Sequence, residues 1–87
     1  MTYIIRFSHS AKKDIRRIPS AILQRIQDAM DALRKDPLPD GCEPIRGYKH
    51  CYRIRIGNYR VVYEVATQIR IITIIRIGHR QNVYQEL

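Results

Sequence analysis

The stretch CYRIRIGNYRVVYEV, residues 51–65, decides the fold. Two alternating runs rich in Ile, Val and Tyr flank the pair Gly57–Asn58, the signature of a β-hairpin with a tight turn. Centring the turn there sets Ile56 opposite Tyr59, Arg55 opposite Arg60 and Arg53 opposite Val62. Side chains alternate faces along a strand. One face therefore carries Tyr52, Ile54, Ile56, Tyr59, Val61, Tyr63 and Val65 and reads as core. The other carries Cys51, Arg53, Arg55, Arg60, Val62 and Glu64. Like charges directly opposite one another destabilise a sheet. Three arginines on one face, with Glu64 to balance them, point to an anion site, against the blander alternative of a solvated face whose long side chains splay apart.

Outward from the hairpin, IRIITIIRI (residues 69–77) is apolar on both sides through its centre, as an interior strand is, and Gly78 is expected to end it. Upstream, residues 36–50 hold three of the four prolines and two of the four glycines, a crossing loop rather than a linker. Before it, Ile22, Ile26, Ala29, Met30 and Leu33 recur at helical spacing, with Pro19 at the start, Lys35 in the last turn and Pro37 beyond. A shorter helix over residues 9–17, capped by Ser8 or Ser10, turns Ala11, Ile15 and Ile18 inward. Residues 3–7, YIIRF, read as a first strand. The order β-α-α-β-β-β describes one α+β domain over residues 1–87, an antiparallel sheet with a two-helix hairpin on one face.

Eighty-seven residues bury about 60–65% of the surface of the unfolded chain. The formal charge is +8 and the isoelectric point about 10.0. The charge is uneven: +2 over the first 43 residues and +6 from Pro44 onward, so the excess lies on the sheet half. A polyanion is the partner this suits, nucleic acid or ribosome first and an anionic membrane surface second. Cys42 and Cys51 have neither CxxC nor zinc-finger spacing, and two reduced thiols are favoured over a disulfide or metal site. MTYIIRFS lacks the pattern of a signal peptide, and arginines interrupt every apolar run before it reaches membrane-spanning length. The expected location is the cytoplasm, with no membrane partner.

YRIRIGNYRVVYEV followed by RIGHRQNVY resembles the RelE branch of the RelE/ParE toxins. The likeness runs the length of the chain, through FS..A.KDI, the helix pair with its DP ending, the IRG before the hairpin and the G-H-R..VY close. The resemblance implies the toxin of a type II toxin–antitoxin pair. It also implies an endoribonuclease that cuts translated mRNA on the ribosome, inhibits translation and is neutralised by a RelB-like antitoxin. The complex would reach operator DNA through that antitoxin. The family reaction uses no metal or cofactor: the ribose 2′-OH attacks the adjacent phosphate, giving a 2′,3′-cyclic phosphate and a 5′-OH end. Such chemistry needs charge stabilisation at the phosphorane, a base and an acid.

By position in the family motifs, the resemblance assigns catalytic roles to Arg55, Arg60, Arg80 and Tyr84. Guanidinium forks suit phosphate oxygens. Tyr84 has three open readings: stacking on a base, hydrogen-bonding at the reacting centre, or closing over the core edge. Arg53, Lys49 and Arg46 are candidates for holding RNA backbone. Family members carry lysines where this chain has Arg53 and Arg55, and arginine, with a pKa above about 12, is a poor base. His79 is the spare base, since histidine is the side-chain type that exchanges protons near neutral pH; its alternative is an ordinary turn residue after Gly78. Two other functions compete. One is the ParE branch, which poisons DNA gyrase and generally lacks the basic hairpin cluster and closing tyrosine. The other is a non-catalytic module that binds RNA or the ribosome.

Overall fold

The computed structural model describes residues 2–79. Its elements are β1 (Ile4–Phe7), α1 (His9–Ile15), α2 (Ser20–Lys35), β2 (Glu43–Pro44), β3 (Cys51–Ile56), β4 (Tyr59–Ala66) and β5 (Ile71–His79). The hairpin has the register read from its turn, with Ile56 opposite Tyr59, Arg55 opposite Arg60 and Arg53 opposite Val62. Gly57 takes a φ of 60° while Asn58 stays out of the left-handed region, which is the pattern of a II′ turn. A Cβ at position 57 would also sit 3.3 Å from Nη1 of Arg25 on α2.

The sheet order is β1-β5-β4-β3-β2. It is antiparallel from β2 to β5 but parallel between β1 and β5, where Ile4 faces Ile71 and Phe7 faces Ile74. The expected all-antiparallel sheet is thus mixed. Once the hairpin and β5 are laid down in succession, the open edge of β5 is filled by the first strand, running the same way. The connection between them is long enough for a parallel pairing. β5 is an interior strand between β1 and β4, with Ile72, Ile74 and Ile77 buried and Ile71, Thr73 and Ile75 half-buried. Two further differences are local. The crossing loop contains β2, whose two residues are too short to leave a periodic signal. β5 also continues through Gly78 to His79, because β4 offers Arg60 and Tyr59 as pairing partners that far.

Both helices close over the core face of the sheet. Ser8 caps α1, its hydroxyl accepting from the amide of Ala11 at 3.0 Å. Ala11, Ile26, Leu33, Val61, Tyr63, Ile72 and Ile74 are completely buried, and Ile54, Ile56, Val65, Met30 and Ile77 nearly so. Fully burying one such aliphatic side chain contributes about 1.5–3 kcal/mol. The Tyr63 hydroxyl donates to the carbonyl of Pro37 at 2.7 Å, tying the start of the crossing loop to the sheet.

The core spacing along β5 breaks alternation, since Ile72, Ile74 and Ile77 all face inward. A bulge resolves this: Tyr63 pairs with Ile74 and Val62 with Arg76, leaving Ile75 as the extra residue. Beyond Ile74, β5 has no strand on its β1 side. There the Ser8 hydroxyl donates to the carbonyl of Ile75 at 2.7 Å. Asp14, at the end of α1, accepts from the amide of Ile77 at 2.9 Å and from Arg76 through Nε (2.9 Å) and Nη2 (3.2 Å). Side chains of the cap and helix thereby do what a longer β1 would have done.

Candidate active site on the arginine hairpin

The sheet face turned away from the helices carries cross-strand rows. One runs Arg55–Arg60–Gly78 over β3, β4 and β5, and the next runs Glu43–Arg53–Val62–Arg76. Arg55 is exposed and Arg60 half-buried, and Gly78 adds no side chain to their row. The local cause is the hairpin itself: alternation puts the tyrosines and every aliphatic but Val62 inward and every arginine of the hairpin outward.

Arg53 is tied down. Its Nη2 donates to Oε1 of Glu43 at 3.0 Å, and β2 exists to place Glu43 opposite it. The hydrogen bond and then the charge of Arg53 hold the Glu43 carboxyl below its ordinary value, against a smaller effect of desolvation and with the charge of Arg55 adding least. Glu64 is therefore not alone in balancing this face. Cys51 lies on it opposite Glu64, and burial, then the Glu64 carboxylate, push its thiol pKa up. Cys42 instead contacts the hydroxyl of Tyr63 on the core side, and both cysteines are free.

The candidate residues are brought together only in part. Arg53, Arg55 and Arg60 share one face. Arg46 and Lys49 sit in the loop before β3, at the end of that strand away from Arg55 and separated from it by about 13 Å of strand. His79 is in β5, not in a turn. It pairs with Tyr59 and its ring meets that tyrosine edge-on, centroids 5.2 Å apart at 73°. That is the face opposite Arg55 and Arg60, so the spare base is parted from the cluster. Arg80 and Tyr84 lie outside the described residues. Among the described residues, no group of three or more His, Cys, Asp or Glu side chains is arranged to hold a metal ion.

Three residues not singled out from the sequence enter the picture. Glu43 is one, hidden by the shortness of β2. Arg25, outside the apolar stripe of α2, brings its guanidinium to the hairpin turn at Gly57. Asp14 is the third, and it did leave a signal: an acid in the last turn of a helix opposes the helix dipole and needs another partner.

The family model described as "ParE toxin of type II toxin-antitoxin system, parDE" matches residues 5–84. Toxin RelE3 of Methanocaldococcus jannaschii is 31% identical over 84 residues, covering 92% of this chain and 93% of its own. The mRNA interferase toxin RelE of Escherichia coli is 27% identical over 90 residues, covering 99% and 94%. Among solved structures, the archaeal RelE–RelB complex from Pyrococcus horikoshii matches with a TM-score of 0.82 and 28% identity, over 94% of this chain and 99% of that one. The chain belongs to the RelE/ParE toxins of type II toxin–antitoxin systems, on the RelE side of that superfamily.

Proposed function

We propose that this protein is the toxin of a type II pair and cleaves translated mRNA on the ribosome. The observation that carries the reading is the Arg55–Arg60 pair, two guanidinium groups in direct register on an outward face beside Gly78. A fold has no use for that repulsion, whereas a phosphate gaining charge on the way to a phosphorane does. The E. coli relative is named an mRNA interferase, which supports the same chemistry here.

In this mechanism the ribose 2′-OH attacks the neighbouring phosphorus and the 5′ oxygen of the next nucleotide leaves. A 2′,3′-cyclic phosphate and a 5′-OH end result. Arg55 and Arg60 stabilise the equatorial oxygens, and Arg80 joins them by its motif. Tyr84 supports the substrate or the departing oxygen. Arg53 holds the RNA backbone, partly neutralised by Glu43. A RelB-like antitoxin, of the kind in the P. horikoshii complex, would silence the site by laying carboxylates over the arginine face and relieving its repulsion. The protein acts in the cytoplasm, where its substrate is. No helix among the described residues is long and apolar enough to cross a membrane.

The test is primer extension on a reporter mRNA, with and without active translation, using wild type and Arg60→Ala. Cuts confined to translated message and lost in Arg60→Ala support the reading. The matching family model is described as a ParE toxin, so gyrase supercoiling is assayed alongside. Inhibited supercoiling without RNA cuts would move the protein to that branch. Ribosome binding without cuts would make it a non-catalytic module.

A further inference from the structure

We propose that Asp14 is a positioning residue for cleavage: through Arg76 and the Ile77 amide it holds residues 75–79 of β5 against the part of β4 that carries Arg60. The inference rests on the nuclease reading above. Its basis is the edge of the sheet. β1 pairs with β5 only as far as Ile74, yet β5 runs on to His79 and pairs with Val62, Val61, Arg60 and Tyr59. Residues 75–79 are therefore clamped on one side by β4, and on the other by two side-chain contacts from the α1 region.

Those two contacts have the spacing of a strand edge. The Ile75 carbonyl takes the Ser8 hydroxyl and the Ile77 amide gives to Asp14. Asp14 is further fixed by two donors of Arg76, and the pair is largely shielded from water, with side-chain exposures of 19% for Arg76 and 12% for Asp14. The first contact falls on Ile75, the bulged residue itself, and the second two residues on, so the two together span the point where an unclamped strand would slip most easily. Gly78, one residue past Ile77, is the partner of Arg60, so freedom at Ile77 passes directly into the row that holds the phosphate. Asp14 touches no reacting atom and is not catalytic.

The experiment compares wild type, Asp14→Asn and Arg76→Lys by quantitative primer extension on programmed ribosomes, normalised to folded protein by circular dichroism. Amide hydrogen exchange is followed in the same samples. Asparagine loses the charge and one acceptor while keeping the size of the side chain. The expected result is a fall of about tenfold in kcat with KM within about twofold, since a small misplacement of a catalytic group costs rate more than binding. Exchange should quicken at Ile77 but not at Ile54 in β3. A purely structural role would lower the melting temperature and leave the rate per folded molecule unchanged. A kcat within about twofold of wild type, or unaltered exchange at Ile77, overturns the proposal. If Asp14→Asn does not fold, Arg76→Lys decides, because one ammonium cannot replace the fork. A loss of about threefold or more in kcat at unchanged KM supports the clamp, and wild-type kcat overturns it. Absence of cuts by wild type overturns the nuclease reading and the clamp together, whereas cutting by wild type and equally by Asp14→Asn overturns the clamp alone.

Discussion

Arg55 and Arg60 stand directly opposite one another across the β3–β4 hairpin, on the face the helices leave open. Opposed like charges cost a sheet about 0.2–1 kcal/mol. The site and the fold therefore pull in opposite directions at this pair. Arg55→Gln, which keeps most of the length and removes charge, should raise the melting temperature by about 1–8 °C. The same variant should lose at least about tenfold in mRNA cleavage. Thermal melts and primer extension on one preparation check both halves. A variant that is stabilised yet fully active would remove Arg55 from the site.

Glu43 holds Arg53 at 3.0 Å. If Arg53 binds RNA backbone, Glu43 competes with the phosphate for it. Glu43→Gln should tighten binding of a short single-stranded RNA and steepen the dependence of log K on log salt by about 0.7, one further phosphate contact. Fluorescence anisotropy at several salt concentrations measures both. The sign of the pH dependence follows from the lowered Glu43 pKa. The carboxylate–Arg53 tie is complete above the ordinary value of 4.5 and is lost as pH falls through the lowered one, so wild type and variant converge only in acid. Identical slopes at neutral pH would mean that Arg53 does not touch the RNA.

These two sites differ in how far the sequence discloses them. The Gly57–Asn58 turn and strict alternation make the hairpin register and its arginine face legible, because a turn and a period of two leave no freedom. The helix stripe of Ile26, Met30 and Leu33 is legible for the same reason, through a period near 3.6. Glu43 is not, since a two-residue strand has no periodicity and is recruited by the edge of β3 alone. The parallel place of β1 beside β5 is a tertiary choice, and no residue of YIIRF announces it. Nor does alternation foresee the bulge at Ile75, which exists because Ile74 and Ile77 both belong to the core. His79 reads as a turn residue because it follows Gly78, a residue that ends strands in many contexts. Here β4 reaches far enough to pair it.

Tyr63 is fully buried and its hydroxyl donates to the carbonyl of Pro37 at 2.7 Å. Tyr63→Phe would leave that carbonyl without its donor and should cost about 1–3 kcal/mol in urea unfolding. Burial is the largest cause pushing the phenol pKa up, with the nearby Cys42 thiol next. The hydroxyl contribution is accordingly complete below the unfolded phenol pKa of about 10 and is lost only as pH rises through the raised folded value. The stability difference between wild type and Tyr63→Phe should thus be constant from neutral pH to about 10. A difference below about 0.5 kcal/mol would mean that water replaces the phenol at Pro37.

His79 meets Tyr59 edge-on, on the face opposite Arg55 and Arg60. A general base must come within hydrogen-bonding reach of the proton it removes. From its strand position the imidazole is aimed away from the phosphate the arginines would hold. His79→Ala should therefore leave cleavage within about threefold of wild type. The pH–rate profile of the wild type should also show no inflection near ~6.5, where an imidazole base would announce itself. A rate that climbs steadily with pH is the signature of attack by a hydroxyl that solvent, not histidine, deprotonates. Rates measured across pH 6–9 on programmed ribosomes decide the matter. An inflection near 6.5 that disappears in His79→Ala would require the end of β5 to turn over when RNA binds, carrying the imidazole to the arginine face.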